Sequence, residues 1–384
     1  MKNILFLILS SLICLTPSHK NIRKVEEPLF ELHSSSVVLI EPVSKKVIYE
    51  KNKDEKHFPA SMTKMMGIYL VLKNVENGTL KWQDMVETSE YAASMGGTQI
   101  YLEPYEKMSV EDMFKAVCIN SANDAITALG EHIAGSTSEF VNLMNKTAKE
   151  LGMKNTNFVN PTGFDDENHY TTPYDMALVA SELVGFGENL FRFTRLKEDY
   201  IRKDTEKPFW LVNTNKMLGH YEGMDGLKTG FTSKANYNLT ATAKRNGVRL
   251  ISVVMNEETI AKRSQDTTIL LNYGFANMQA LKLYDKNQEV AKYKFANSLD
   301  DETSLVVKDN VIVVLDKKYK KEDLKAKIEM LKTESPIKEN EHVANLIVTT
   351  PDGDNYSFKV YAQKEVKKSN FFDYLFYNWL EFLF

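Results

Sequence analysis

The chain has 384 residues, a formal net charge of −4, and 43% hydrophobic and 26% charged residues. That length accommodates two domains, and the composition is that of an ordinary globular protein. The near-neutral balance lacks the basic excess of a nucleic-acid binder, and that class is set aside.

The N-terminus carries Lys2, an apolar run from Ile4 to Leu15, and then Thr16-Pro17-Ser18. This is the layout of a secretory signal peptide, and residues 1–20 are assigned to it. The run is short for a bilayer span, although an uncleaved anchor is the alternative. Ile13 is too bulky before Cys14 for a lipoprotein signal. After cleavage Cys118 alone remains, so no intrachain disulfide forms, and it reads as a small buried apolar residue.

Val37 to Ile40 and Lys46 to Tyr49 are predicted strands of an opening hairpin. Next comes Pro59-Ala60-Ser61-Met62-Thr63-Lys64, followed by an apolar run from Met65 to Leu72. A helix apolar all round is a core helix. Residues three apart share one helix face, so the Lys64 amine can reach the Ser61 hydroxyl. Serine becomes a nucleophile when a neighbouring base takes its proton, and lysine is that base when burial or a second cation lowers its pKa. Ser335-Pro336-Ile337-Lys338 has the same spacing, but a proline lies inside it and no apolar helix follows, so it reads as a loop.

Helices are predicted over Val110 to Val117, capped by Ser109, and over Ala125 to Ile133, Phe140 to Leu151 and Tyr174 to Val184. Ser94 to Thr98 is a loop with two glycines, and Asn160-Pro161-Thr162-Gly163 is a turn. Asp225-Gly226-Leu227-Lys228-Thr229-Gly230 precedes two β-rich runs, Asn238 to Ala243 and Val248 to Met255. Asn246-Gly247 between them is a strong hairpin signal, which sets Lys228 on or beside an antiparallel sheet. Ile260 to Tyr273 reads as a closing helix.

Beyond about residue 280, short β-rich runs separated by turns predict a small β domain over residues 285–365. The last stretch, 369–384, is rich in Phe, Tyr, Leu and Trp and follows Lys364, Lys367 and Lys368. As a helix its apolar part is about 21 Å long, too short to span. It suits an amphipathic helix lying in a membrane interface. The alternative is a terminal helix packed on the β domain.

Ser61-Met62-Thr63-Lys64, Ser121-Ala122-Asn123 and Lys228-Thr229-Gly230 occur in that order. Together they are the signature of penicillin-binding proteins and class A β-lactamases. Met95 to Gln99, Asn160 to Gly163, His169-Tyr170-Thr171-Thr172 and Asn213-Thr214-Asn215 narrow the match. The chain resembles the low-molecular-mass penicillin-binding proteins that are D-alanyl-D-alanine carboxypeptidases, peptidase family S11. The resemblance is strong over residues 30–280. It departs at Asn236-Tyr237, where the family has Gly-Tyr, and at Ser44-Lys45-Lys46, which lacks a glycine.

The resemblance implies an α+β fold: a transpeptidase-like domain with an antiparallel sheet flanked by helices, then an all-β domain and an amphipathic helix. It implies an exported enzyme on the outer face of the cytoplasmic membrane, acting on peptidoglycan stem peptides and acylated by β-lactams. Ser61 is then the acylated nucleophile, Lys64 its proton acceptor and Ser121 a proton relay. Asn123 holds the lysine and the substrate amide. Lys228 and Thr229 meet the substrate carboxylate, beside Gly230. The backbone amides of Ser61 and Phe231 form the oxyanion hole. Arg263 matches a family arginine near the carboxylate pocket, or is a solvated helix residue.

His169 invites a Ser-His triad, but resembles a structural landmark. No cofactor and no metal are expected, since no metal-ligand motif is present. A β-lactamase is the first rival. Its Glu-x-x-Leu-Asn loop is missing between Asn123 and Lys228. A fold that only binds peptidoglycan is the second, and it would be expected to have lost one of these side chains.

Overall fold

The computed structural model describes residues 30–298 and 302–369. The predicted signal segment and the aromatic tail lie outside the described residues.

β1 (Ser36–Ile40) and β2 (Val47–Lys51) form the opening hairpin. Its turn has no glycine, and Lys45 takes the left-handed conformation at φ 59°. A 3₁₀ turn over Ala60–Thr63 leads into α1 (Lys64–Glu76), which is buried from Lys64 to Leu72. β3 (Met85–Glu87) and β4 (Lys107–Ser109) pair around α2 (Glu90–Ala93). α3 (Val110–Asn120), α4 (Asn123–Ala134), α5 (Thr137–Glu150) and α6 (Pro173–Gly185) follow. Ser109, Ser136 and Thr172 accept from the amides of Asp112, Glu139 and Asp175 at three of these starts. Each cap satisfies a donor that the first helical turn leaves orphaned.

α7 (Glu188–Thr194) and the hairpin β5 (Glu198–Ile201) with β6 (Phe209–Val212) come next. The sequence reading has none of these three, because runs so short carry no decisive period. β7 (Met224–Thr232), β8 (Asn236–Arg245) and β9 (Val248–Glu257) then form a meander, closed by α8 (Ile260–Asn277). Asn246 and Gly247 make the tight turn at φ 47° and 82°. Asn236 adopts φ 55° where the family has glycine, as its tolerance for that region allows.

These strands form one antiparallel sheet in the order β2-β1-β9-β8-β7. Both faces are covered, so β1 is buried throughout and apolar from Val37 to Ile40. Val38 and Ile40 join a core with α1, α3, α4 and α6, while Val37 and Leu39 join a second core with Leu270 and Leu271 of α8. Alternation along the strand divides them. β7 is left at one edge of the sheet, beside the 3₁₀ turn that carries Ser61.

The C-terminal part contains β10 (Met278–Tyr284), β11 (Glu289–Tyr293), β12 (Thr303–Val307), β13 (Val311–Asp316), β14 (Lys325–Met330), β15 (His342–Thr349) and β16 (Asn355–Ala362). Five strands form a sheet in the order β11-β12-β16-β15-β14, and β10 pairs with β13. Val313 and Leu315 pack into a third core, whereas Val314 packs into the second. The β10–β13 ribbon is thus a wall shared by two cores. Lys46 of the first hairpin reaches Asp352 at 2.7 Å and Asp354 at 2.9 Å. The Tyr356 hydroxyl lies 2.6 Å from the Val314 carbonyl and 3.0 Å from a Glu41 carboxylate oxygen.

Candidate active site

Ser61 sits on the 3₁₀ turn and Lys64 opens the α-helix, a tighter junction than one continuous α-helix. The turn is wedged between two glycine-bearing segments. A Cβ at Gly163, which has φ 91°, would lie 1.8 Å from the Ala60 carbonyl oxygen. A Cβ at Gly230 on β7 would lie 2.7 Å from the Pro59 carbonyl oxygen. Only glycine permits both approaches, and Ala60 itself is bent to φ 48°.

The Lys64 amine lies 2.9 Å from Ser61 Oγ and donates to the Thr162 carbonyl at 2.7 Å. That carbonyl is aimed by Asn160, whose Oδ1 accepts from the amides of Thr162, Gly163 and Phe164. Lys64 is fully buried. Burial, and then the charge of Lys228, hold its amine well below the ordinary lysine range. In the neutral form the amine has a lone pair, which can accept the Ser61 hydroxyl proton.

Ser121 ends α3 in the left-handed conformation at φ 67°. Its hydroxyl and Asn123 Oδ1 are buried without a hydrogen-bond partner among the described residues. Asn123 starts α4, and its Nδ2 donates to the Gly96 carbonyl at 2.7 Å. The sequence reading had Asn123 hold the lysine. In the structure the lysine donates to the Thr162 carbonyl, which the Asn160 turn presents, and the Asn123 amide group donates to Gly96. Buried polar atoms left unpaired cost free energy, and a polar substrate can supply the missing bonds.

Lys228 is buried on β7, with its amine donating to the Thr229 carbonyl at 3.0 Å. Burial, together with the nearby charge of Arg263, brings its pKa down to about 7. Arg263 is 4% exposed and faces the Asn238 carbonyl of β8 at 3.4 Å, so it is not a solvated helix residue. Burial brings its pKa down to about 10. Thr229 donates to the Thr214 hydroxyl at 2.7 Å. Phe231 is exposed and stacks on Tyr237 with ring centroids 4.3 Å apart.

His169 is not part of this arrangement. Its Nδ1 accepts from the Val159 amide at 3.0 Å, which leaves Nε2–H to donate to Thr63 at 2.8 Å. Burial drops its pKa to about 4. It clamps the loop over residues 159–169 to the start of α1. Glu167 of that loop is exposed and bonded to Lys234, not to a site for water beside Ser61. Ser335, of the second Ser-x-x-Lys, donates to the backbone carbonyls of Ala296 and Asn297. Cys118 is a free, buried thiol whose pKa is raised by burial.

Sequence reasoning did not assign three contributors. The Thr162 carbonyl was legible only as part of a turn. Thr214 lay within a recognised landmark without a role. Asp124 is fully buried and accepts from the amides of Ile100 and Leu102, fixing the loop above the site.

Residues 21–259 match the D-alanyl-D-alanine carboxypeptidase family, peptidase S11, and residues 279–368 match the C-terminal domain of penicillin-binding protein 5. The chain is 42% identical over 343 residues to the D-alanyl-D-alanine carboxypeptidase DacF of Bacillus subtilis, covering 89% of this chain and 88% of that one. Penicillin-binding protein 5 of Haemophilus influenzae is 29% identical with a TM-score of 0.69, over 89% of this chain and all of that chain. Penicillin-binding protein D2 of Listeria monocytogenes, solved in its ampicillin-bound form, is 33% identical with a TM-score of 0.58, over 65% of this chain and all of that chain. The α+β transpeptidase-like fold followed by an all-β region is therefore that of the penicillin-binding proteins. The chain belongs to the D-alanyl-D-alanine carboxypeptidases of peptidase family S11, serine enzymes that act on peptidoglycan.

Proposed function

We propose that Ser61 is the nucleophile and Lys64 its general base in removing the terminal D-alanine from peptidoglycan pentapeptides. The observation that carries this is the 2.9 Å contact between a buried, neutral-leaning Lys64 amine and Ser61 Oγ. Ser61 Oγ attacks the carbonyl carbon of the penultimate D-alanine while its proton moves to Lys64. The developing oxyanion is met by the backbone amides of Ser61 and Phe231. The approach of Gly230 to the Pro59 carbonyl and Met62 amide supports this, since it holds the two segments together.

The C–N bond then breaks, and the leaving amine takes a proton through Ser121. Asn123 bonds the substrate amide. Lys228, when protonated, and Thr229 meet the terminal carboxylate, with Arg263 adding positive charge behind them. Water next attacks the ester while its proton passes to Lys64, and as the ester C–O bond breaks Lys64 returns that proton to Ser61 Oγ, which restores the hydroxyl and the neutral amine. The same geometry lets a β-lactam acylate Ser61.

Residues 30–280 are the catalytic domain and 285–365 the β domain in this reading. Residues 1–20 direct export. Residues 369–384 tether the enzyme to the outer face of the cytoplasmic membrane. No helix among the described residues is long and apolar enough to cross a membrane.

Intact mass after incubation with a fluorescent penicillin tests the assignment, for the wild type and for Ser61→Ala. The expected result is a slowly lost adduct on the wild type and none on the variant. Rapid penicillin turnover without a lasting adduct would indicate a β-lactamase. Equal labelling of both proteins would remove Ser61 as the nucleophile.

A further inference from the structure

We infer that a cleft beside the catalytic loop binds the saccharide that carries the stem peptide, with Tyr101 as its stacking platform. This rests on the reading of the site as one that trims peptidoglycan stems. The cleft has a volume of about 850 Å³ and is lined by Tyr101, Tyr105 and Phe209, with Glu103, Glu206 and Lys207 at its rim. Tyr101 and Tyr105 are 66% and 63% exposed. Both are left-handed, at φ 56° and 67°. Bulky L-residues avoid that region, and such strain concentrates where a side chain must be presented.

The loop is held rigid. Ile100 and Leu102 donate their amides to Asp124, and Arg202 donates to the Ile100 carbonyl at 2.9 Å. The Arg202 fork also grips Glu106 at 2.9 and 3.0 Å, and the Tyr105 hydroxyl donates to Glu90. Tyr101 and Phe209 lie with ring centroids 6.0 Å apart. Aromatic faces ringed by carboxylates suit sugars, whose C–H faces stack and whose hydroxyls donate. Acidic groups outnumber basic ones around the cleft, which argues against an anionic polymer.

The reach fits. The carbonyls of Gly96 and Thr98 in the same loop accept from Asn123, and Tyr101 lies three residues beyond Thr98. Three residues span at most about 11 Å and a five-residue stem about 18 Å. A stem whose scissile end is bonded by Asn123 is therefore longer than the stretch of loop that leads from Thr98 to Tyr101.

The test compares release of D-alanine from a free pentapeptide and from the same pentapeptide on its N-acetylglucosamine–N-acetylmuramic acid disaccharide. Tyr101→Asn removes the ring and keeps a residue that tolerates φ > 0. In the wild type, kcat/KM should be about tenfold higher with the disaccharide, and Tyr101→Asn should abolish that advantage. Cleavage of the free peptide and acylation by penicillin should stay within about twofold of wild type. Equal wild-type rates on the two substrates would overturn the proposal. So would an equal loss on both in Tyr101→Asn, which marks a structural residue. A wild type that cleaves neither substrate would overturn the catalytic reading instead. Calorimetric binding of the peptide-free disaccharide then decides the cleft: binding lost in Tyr101→Asn supports it, and no binding to the wild type sinks it.

Discussion

The residues up to Asn277 and those from Met278 onward both bury apolar cores, but treat charge differently. The first region buries Lys64, Asp124, Asp175, Lys228, Arg263 and Asp266. Among the described residues of the second, the buried polar side chains are Thr303, Ser335, Thr350 and the Tyr356 phenol, and none carries a charge at neutral pH. Apolar burial suffices to close the second core. Burying a lysine costs several kcal/mol, so a fold that does it in two neighbouring places gains something other than stability. In the proposed mechanism the gain is an amine whose proton can be moved.

That contrast breaks most directly at Lys64. Lys64→Met keeps the volume and removes the amine. Acylation by a fluorescent penicillin should fall by about 10²–10⁴-fold, the usual worth of general base catalysis. The melting temperature should hold or rise, because an unpaired buried cation no longer has to be neutralised. A variant acylated at the wild-type rate would end the role of Lys64 as base. A strongly destabilised one would show that the amine serves the fold.

Two glycines sharpen the comparison. Gly163 and Gly353 have nearly the same backbone angle, φ 91° and 93°. A Cβ at Gly163 collides with the Ala60 carbonyl, whereas nothing lies within 4 Å of one at Gly353. Each alanine variant should lose about 1–3 kcal/mol through backbone strain. Gly163→Ala alone should also lose about 10²-fold in acylation, since displacing a nucleophile by an ångström has that effect. Equal activity in both variants would show that the nucleophile turn does not need its clamp.

These particulars show what was legible. The three motifs, the core helix, the Asn246-Gly247 hairpin and the β-rich C-terminal region stand in the sequence because each has a short-range signature. Asn236 was readable as a left-handed substitute for glycine, whereas the left-handed Lys45 was not, since a lysine carries no such signal. The second partner of Lys64 was not legible either, because a carbonyl has no letter: Thr162 matters through its backbone, and Asn160 positions it from two residues away. The β5–β6 hairpin and the two left-handed tyrosines also escaped. Their geometry comes from tertiary bonds such as that of Arg202 to Ile100, which no local pattern encodes.

A pH titration reads the buried lysines of the first region. Lys228 titrates at about 7 in the fold and at an ordinary 10.5 when unfolded. Between those values the unfolded chain binds more protons, so this residue makes stability rise with pH. Lys64 acts in the same direction. Lys228→Met should flatten the rise between about pH 7 and 10 while raising stability near pH 7. Melting curves for both proteins across that range measure the difference. Parallel pH dependences would mean that Lys228 is charged in the fold throughout.

The smallest effect is expected where the two regions meet. Lys46 is 16% exposed along its side chain and bonds two carboxylates, Asp352 and Asp354. Burial works against its charge, but the two partners outweigh it and raise its pKa. Partly exposed pairs are worth about 0.5–1 kcal/mol, so Lys46→Ala should lower the melting temperature by only about 1–3 °C. Tyr356 and Glu41 still join the regions in that variant, and the β10–β13 ribbon still shares two cores. Release of D-alanine should therefore be unchanged, while protease cleavage between the regions quickens. A large loss of activity in Lys46→Ala would mean that the second region tunes the site through the first hairpin, and the division of labour drawn from buried charge would fail.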